Sequence, residues 1–388
     1  MSLPRRTRII NSSRVIRQLW IEEELSRAEL AKRLGLNKSS MSSIVNDLIE
    51  QQVLLECDEK QVGPKGGRKA TGLQLNKDHF FVLGIEIRSD SYTALAVDLE
   101  GAILFSETLP KGFVAKSFCE DITALLDGLV GRLKWLERPL LGVGIGFSGI
   151  VDGDSQTITR SVSLDFTQPF DFAKQLASRF DFPVILENDA NCGAWGEVVF
   201  QRKRRLKNFL FVLIEFWKCY SDIDGSAQPT VGIGFGFDGK IYRGNHSMAG
   251  EFKSVFNRES QDKHQIVLKK GTSPNYQLAD DLDALQDYIR EVCGNIAFLV
   301  NTLDIGNVFI GGDIEKFRSF MPEMLKLALM QNSLDGDDNG CQIQFSSLGY
   351  QAVSFGAAAL VLDKVLMNLE PLEDAALSPH FPLFFVNT

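Results

Sequence analysis

The stretch from Ser26 to Glu56, SRAELAKRLGLNKSSMSSIVNDLIEQQVLLE, reads as two short helices leading into a strand. Ser26 and Glu29 have the spacing of a capping box, in which a serine oxygen and a glutamate carboxylate satisfy each other's free backbone amides, so a helix starts there. Leu30, Ala31 and Leu34 recur at helical spacing, Gly35 permits the left-handed backbone that ends a helix, and Asn37 can cap the next one. Met41, Ile44, Val45 and Leu48 give the second helix an apolar stripe. Its other face carries Lys38, Ser39, Ser40, Ser42, Ser43 and Asn46, short hydrogen-bonding groups and one cation that can approach the base edges and phosphates of duplex DNA. The pattern predicts a helix-turn-helix whose second helix reads DNA. The plainer alternative is two small helices packed on a larger domain.

The residues downstream favour the first. Leu54-Leu55-Glu56 and Leu73-Gln74-Leu75 read as short strands flanking Gly63 to Lys69, GPKGGRK, a basic loop too rich in glycine to pack into a core. That is the composition of a wing. Arg68 on its glycine stem, with Lys69 beside it, can reach a narrow minor groove, where the negative potential favours arginine. Charge is divided accordingly: the 388-residue chain carries a net −9, yet residues 1–72 hold 13 Lys and Arg against 9 Asp and Glu, which leaves −13 on the remainder. An acidic body behind a basic head confines phosphate contact to the head.

At this length two or three domains are expected. The six cysteines, Cys57, Cys119, Cys192, Cys219, Cys293 and Cys341, stand singly without a CxxC or CxC pair, which indicates neither a disulfide framework nor a zinc knuckle and suggests a reducing compartment. No apolar run reaches membrane-spanning length, and the basic start Arg5 to Arg8 leads into no signal-peptide segment. A cytoplasmic protein with no membrane partner is expected.

From Phe80 the pattern changes to apolar runs punctuated by Gly and Asp. Strands are predicted over Val82–Ile87, Thr93–Leu99 and Ala102–Ser106, a helix over Phe118–Leu133 and a strand over Leu140–Phe147. A second round comes next: strands Phe209–Ile214, Val231–Phe237 and Lys240–Arg243, helix Leu282–Leu303 and strand Asn307–Ile310. Two lobes of similar layout normally hold a ligand in the cleft between them.

In this order the motifs resemble those of the ROK family of repressors, open reading frames and sugar kinases. The resemblance runs from about Asn11 to Leu366. It rests on the capped helix pair and Gly-Gly-Arg wing, Gly146-Phe-Ser-Gly-Ile-Val-Asp152, Glu187-Asn-Asp-Ala-Asn191, Gly232-Ile-Gly-Phe-Gly236 with Asp238-Gly239, Ala249-Gly-Glu251, and Asp304 to Asp313 with Gly311-Gly312. It implies an α/β fold: an actin-like, sugar-kinase-like two-lobed body built by ribonuclease H-like duplication, preceded by a winged helix-turn-helix. The expected division is a DNA-binding domain over residues 1–76 and a body over 77–388, with lobe one at about 77–188 plus the C-terminal helix and lobe two at about 189–350. The fused head resembles the repressor branch.

After the predicted strand Val184–Leu186, Asn188 offers an amide donor and acceptor and Asp189 a carboxylate, groups that suit a polyol. By the resemblance both bind sugar hydroxyls, and Asp189 stands where the family's kinases keep the base that deprotonates the attacking hydroxyl. The residues alone also allow Asp189 to cap the helix leading to Trp195. Glu251 matches a family sugar contact, and Gly149 lies in a loop that lines the pocket in the family.

Two departures matter. Where the family's kinases have an Asp-x-Gly-Gly-Thr-Lys phosphate loop, this chain has Glu86-Ile-Arg-Ser-Asp-Ser91, so Arg88 stands where bare backbone was needed. Nucleotide use is therefore not expected, and Gly232–Gly236 and Gly311-Gly312 are read as tight turns. The family's zinc site needs a histidine at a position that here is Ser254, and a cysteine run that Val255 to Gly271 lacks; His264 alone builds no tetrahedral site, so no metal is expected. That histidine is also a sugar contact in the family, which leaves an unusual ligand or none as open readings. Glu215 to Thr230 looks like an insertion beside the cleft, either a lid or a solvated loop.

The expected function is a DNA-binding repressor, not an enzyme and without a cofactor, whose cleft senses a sugar or sugar derivative. Its expected partners are double-stranded DNA, the sugar and a second copy of itself, as a homodimer or dimer of dimers. The alternatives are an active ATP-dependent sugar kinase with a DNA-binding head, and a repressor whose cleft has decayed to a scaffold.

Overall fold

The computed structural model describes residues 3–57, 71–201, 206–218, 227–256, 265–266, 278 and 281–367. The Gly63–Lys69 loop, with Arg68 and Lys69, lies outside them, as do His264 and residues 219–226.

The head starts earlier than the sequence pattern announces, with helix α1 (Leu3–Glu22). Its buried residues Ile9, Val15, Ile16, Leu19 and Trp20 are interrupted by two buried serines, Ser12 and Ser13, so the stripe is hard to see in the sequence. Strand β1 (Leu25–Ser26) leads into α2 (Arg27–Leu34). The capping box is formed: Glu29 N–H donates to Ser26 Oγ at 3.3 Å, and Ser26 N–H donates to Glu29 Oε2 at 2.8 Å. Gly35 ends the helix at φ +66°, and Asn37 Oδ1 accepts the Ser40 N–H at 2.8 Å to start α3 (Lys38–Glu50). Strands β2 (Leu54–Cys57) and β3 (Gly72–Leu75) then pair antiparallel, with β1 on the free side of β3. Leu30, Ala31, Leu34, Met41, Ile44, Val45 and Leu48 are all buried, as their spacing predicts.

The body repeats one layout twice. The first round is β4 (Phe81–Ile87), β5 (Ser91–Val97), β6 (Ile103–Pro110), α4 (Phe118–Arg132) and β7 (Leu140–Phe147). A small antiparallel sheet of β8 (Ile150–Asp152), β9 (Thr157–Arg160) and β10 (Phe170–Asp171) and the single turn α5 (Phe172–Gln175) precede β11 (Val184–Asn188) and α6 (Asp189–Phe200). The second round is β12 (Asn208–Lys218), β13 (Ala227–Phe237), β14 (Lys240–Tyr242), α7 (Leu282–Leu303), β15 (Asn307–Gly312), α8 (Met321–Asn332), β16 (Gln342–Phe345) and α9 (Ala352–Leu362). A π-helical turn, Asp363–Met367, closes the described chain. The sheets run β11-β7-β4-β5-β6 and β16-β15-β12-β13-β14, so each central strand has a parallel partner on one side and a hairpin partner on the other.

The two sheets meet through α6 and α9. Glycines bring backbones together there: a Cβ on Gly84 or Gly144 would overlap carbonyl oxygens of α9, and one on Gly356 would overlap the Cys192 carbonyl of α6. The outer faces have separate apolar cores, one under α4 and one under α7 and α8. The central core is continuous with that of the head. Among the described residues no helix is long and apolar enough to cross a membrane.

Of the segment expected as an insertion at Glu215–Thr230, the described residues 215–218 and 227–230 are strand, and Gly232–Gly236 and Gly311-Gly312, expected as tight turns, lie instead within β13 and β15, where each strand's partners hold the backbone extended. β12 and β13 pair over eleven positions, from Asn208 opposite Phe237 to Lys218 opposite Ala227. Polar and aromatic residues at the far end of the hairpin hide the alternation, which is why the sequence pattern stops at Ile214 and resumes at Val231.

Candidate ligand cleft and DNA-facing surface

The ends of β7 and β11 and the start of α6 bring Gly149, Asn188 and Asp189 together. Asn188 is the cap of α6: its Oδ1 accepts the Asn191 N–H at 3.0 Å, while its amide donates to the Gly149 carbonyl at 3.0 Å and to Asp189 Oδ1 at 2.9 Å. The cap role that the residues alone allow Asp189 therefore falls to its neighbour, and Asp189 Oδ1 accepts the adjacent Ala190 N–H at 2.7 Å. Gly149 has no room for a side chain, since a Cβ would lie 2.6 Å from the Arg160 carbonyl oxygen. Burial pushes the Asp189 carboxyl up to about 8, helped by Glu215 and Glu251 and opposed by the Ala190 amide and the Ser148 hydroxyl. The rise favours the protonated carboxyl, which can both donate to and accept from a hydroxyl.

Glu251 reaches the same cleft from the second lobe. Gly250 holds its loop against β13 at φ +96°, where any side chain would overlap the Ile233 carbonyl. Glu251 is exposed as a residue, but the protein around its carboxyl displaces enough water to raise it, with Arg160 opposing. Ser254 turns away from the cleft: it is buried, its Oγ accepts the Asn295 amide at 3.0 Å, and Val255 N–H donates to Asn295 Oδ1 at 3.0 Å. This position is a core hydrogen bond to α7 and does not fit a zinc ligand. Among the described residues no group of three or more His, Cys, Asp or Glu is placed to hold a metal.

Arg88 explains the altered phosphate loop. It leaves the end of β4 and crosses to the other lobe, donating through Nε to Glu215 Oε1 at 2.9 Å, through Nη2 to the same carboxylate, and through Nη2 to Asp313 Oδ2 at 3.3 Å. Glu86 lies 3.3 Å from its Nε. Glu215 lies within β12, opposite Thr230, and Asp313 just beyond β15, where Asp313 also accepts the Phe216 N–H at 3.0 Å. Burial alone would lower the guanidinium's proton affinity, but Glu215, Glu86 and Asp313 outweigh it and hold Arg88 charged. Burial lifts the Glu86 carboxyl to about 8, with Arg88 opposing and Glu215 adding to the rise. The cavity beside this cluster, about 510 Å³, is lined by Glu86, Glu107, Glu215 and Asp313 against Arg88 and Lys316. A polyphosphate would meet mostly carboxylates and a guanidinium already engaged.

A second arginine crosses the other way. Arg243, just after β14, donates through Nε to the fully buried Glu187 Oε2 at 2.8 Å, and through Nη2 to the same oxygen. Glu187 Oε1 takes the Asn188 N–H at 3.1 Å and the Asn191 amide at 3.2 Å, so this pair stiffens the loop that carries the candidate ligand residues. Neither arginine pairing is visible in the sequence, where the partners stand 127 and 56 residues apart.

On the head, Lys38, Ser39, Ser42, Ser43 and Asn46 are exposed on one face of α3, and Ser40 is half-buried at its margin. Two arginines from neighbouring helices frame this face. Arg8 of α1 donates to Ser43 Oγ at 3.2 Å and pairs with Asp47, while Arg27 of α2 donates to Asn46 Oδ1 at 3.2 Å and Glu56 Oε1 at 2.6 Å.

Comparison with known proteins agrees with this architecture. The xylose repressor of Bacillus subtilis (strain 168) is 24% identical over 385 residues, covering 92% of this chain and 96% of its own. The crystal structure of a ROK family transcriptional regulator, a homolog of the E. coli MLC protein, superposes with a TM-score of 0.72 at 18% identity, over 92% of this chain and 96% of that one. A ROK family glucokinase from Streptomyces griseus, in complex with glucose and AMPPNP, superposes with a TM-score of 0.55 at 19% identity, over 72% of this chain and 98% of the kinase. The ROK family profile matches residues 82–253, from β4 to the loop beyond Glu251, and over that stretch the chain is similar to the ROK family.

Proposed function

We propose that this protein is a DNA-binding transcriptional repressor whose two-lobed body responds to a sugar or sugar derivative. The observation that carries this is the exposed polar face of α3 on a head whose core is continuous with the body. Similarity to a xylose repressor over head and body together supports it. Asn188, Asp189 and Glu251, with the Gly149 loop, form the sugar-reading surface, and Lys38, Ser39, Ser40, Ser42, Ser43 and Asn46 the DNA-reading one. Arg68 and Lys69 add wing contacts. A ligand that binds one lobe arrangement better than another shifts the populations, and in a dimer that shift changes how the two heads are presented to a two-fold operator.

The test is operator binding, with the chain's own promoter region or a selected sequence, against a panel of aldoses that begins with D-xylose. At least one aldose should change operator affinity tenfold or more, and Asp189→Asn should abolish that response. An operator affinity indifferent to every sugar would leave a constitutive repressor. The second reading, a sugar kinase with a DNA-binding head, draws on Asp189 at the base position. Arg88, fixed on Glu215 and Asp313, opposes it, and ATP-dependent phosphorylation of an aldose that Asp189→Asn removes would reverse the ranking.

A further inference from the structure

Helix α1 spans the distance between the body and the DNA-facing surface. At its C-terminal end Trp20 is buried, its ring 6.5 Å from that of Phe200, the last residue of α6. Phe200 is half-buried and packed on two sides: its ring meets Phe355 of α9 edge-on at 5.5 Å, and a Cβ on Gly101 would come within 2.6 Å of it. The turn Asp363–Met367 that ends α9 also packs on α1. At the N-terminal end, Arg8 holds Ser43 and Asp47 of α3, and between the two ends Arg14 donates to the Leu34 carbonyl of α2 at 3.3 Å. Arg8 and Trp20 are twelve residues apart on one helix, roughly 18 Å at 1.5 Å per residue. The other end of α6 is the candidate ligand cleft, where Asn188 caps it and Asp189 is its first residue.

We propose that α1 transmits ligand occupancy from the cleft to the DNA-facing helix, with Phe200 bearing on Trp20 at one end and Arg8 positioning Ser43 and Asp47 at the other. The inference rests on the sugar-responsive repressor reading above. Its physical basis is the stiffness of the path. α6 and α9 meet backbone to backbone at Gly356 and Cys192, with no layer of pliable side chains between them, so a lobe movement that displaces the start of α6 also displaces its end. Phe200, packed against Phe355 and Gly101, passes the displacement to Trp20. A tilt of α1 then draws Arg8 away from α3. Asp47, neutralised by Arg8 in the present arrangement, would face the DNA phosphates as a bare carboxylate, and Ser43 would lose its orienting donor. Both changes weaken DNA binding.

Trp20, Phe200 and Arg8 are thus positioning residues, distinct from those that touch either ligand. The test uses the full chain with Phe200→Leu and Trp20→Leu, substitutions that keep the sites apolar. Without sugar or DNA, hydrogen exchange in Phe200→Leu should quicken at least threefold in α1 and across Met41–Glu50 of α3; acceleration confined to the end of α6 would overturn the proposal. With the aldose that shifts operator binding of the wild type, sugar affinity of the DNA-free variants should stay within twofold, while the sugar-induced change in operator Kd should shrink at least fivefold. Variants that bind sugar normally and keep the full operator response would also overturn it. If no aldose moves the wild-type operator complex, the sugar reading fails by itself, and the exchange measurement still decides whether α1 connects α6 to α3.

Discussion

Replacing Arg88 by Gln isolates the cross-lobe ion pair. The substitution keeps a planar, hydrogen-bonding side chain but removes the charge and the two donors that converge on Glu215 Oε1. Glu215 is only 2% exposed and Glu86 only 6%, so both would stay buried without a cation, whereas Asp313 at 20% can recruit water. Breaking a buried pair by removing one partner typically costs about 3–5 kcal/mol. With Arg88 itself 21% exposed, the lower end applies, about 3 kcal/mol. For a body of this length the entropy of unfolding, at about 2.1 cal/mol/K per residue, turns about 3 kcal/mol into a fall in Tm of about 5 °C. The loss should also depend on pH. Arg88 opposes the rise of the Glu86 carboxyl, so without it that carboxyl is pushed further up, the native state holds more protons than the unfolded chain, and stability falls as pH rises. Melting followed by near-ultraviolet circular dichroism from pH 6 to 9 should therefore show the gap between variant and wild type widening towards alkaline pH, with Arg88→Lys intermediate because it keeps charge without the fork. A variant that melts within 1 °C of wild type at every pH would refute the argument that this cation holds the lobes together.

Other consequences are simpler to measure. In the wild type the Glu86 and Asp189 carboxyls, each raised to about 8, contribute stability that is fully present below their unfolded values of about 4 and lost as pH rises through 8, so Glu86→Gln and Asp189→Asn should each flatten the fall of Tm between pH 6 and 9. Ser26→Ala removes the capping-box oxygen and should cost the head about 1 kcal/mol, read as faster exchange of the amides opening α2. Gly356→Ala forces a methyl group onto the Cys192 carbonyl and should destabilise the body by about 3 kcal/mol in urea unfolding, far more than Gly128→Ala, where a Cβ meets open space. Ser42→Ala or Asn46→Ala should alter base preference, whereas Lys38→Ala should weaken all sequences alike and reduce the salt slope of binding by about one.

How much of this is legible in the sequence depends on the range of the forces involved. The capping box, the Gly35 turn, the strands of both rounds and α7 are written in neighbours a few residues apart, and they lie close to where the pattern puts them. Gly149, Asn188 and Asp189 are found by motif, and their meeting is enforced by the α6 cap, itself a local device. Some misses are local, as with the glycines that lie within β13 and β15, and those at the cleft are long-range. Ser12 and Ser13 blur the stripe of α1 because a polar residue on the buried face breaks the apolar pattern, although Ser13 Oγ is satisfied within the helix itself by donating to the Ile10 carbonyl at 2.9 Å. Arg88 can be seen to spoil a phosphate loop, but its real task depends on Glu215 and Asp313, which join it only once both sheets have formed and docked through α6 and α9. Arg243 and Glu187 obey the same logic in reverse. The charges that cross between the lobes at this cleft are therefore those whose partners local sequence cannot name. A family motif that has lost its glycines should be read as a side chain in search of a carboxylate on the opposite lobe.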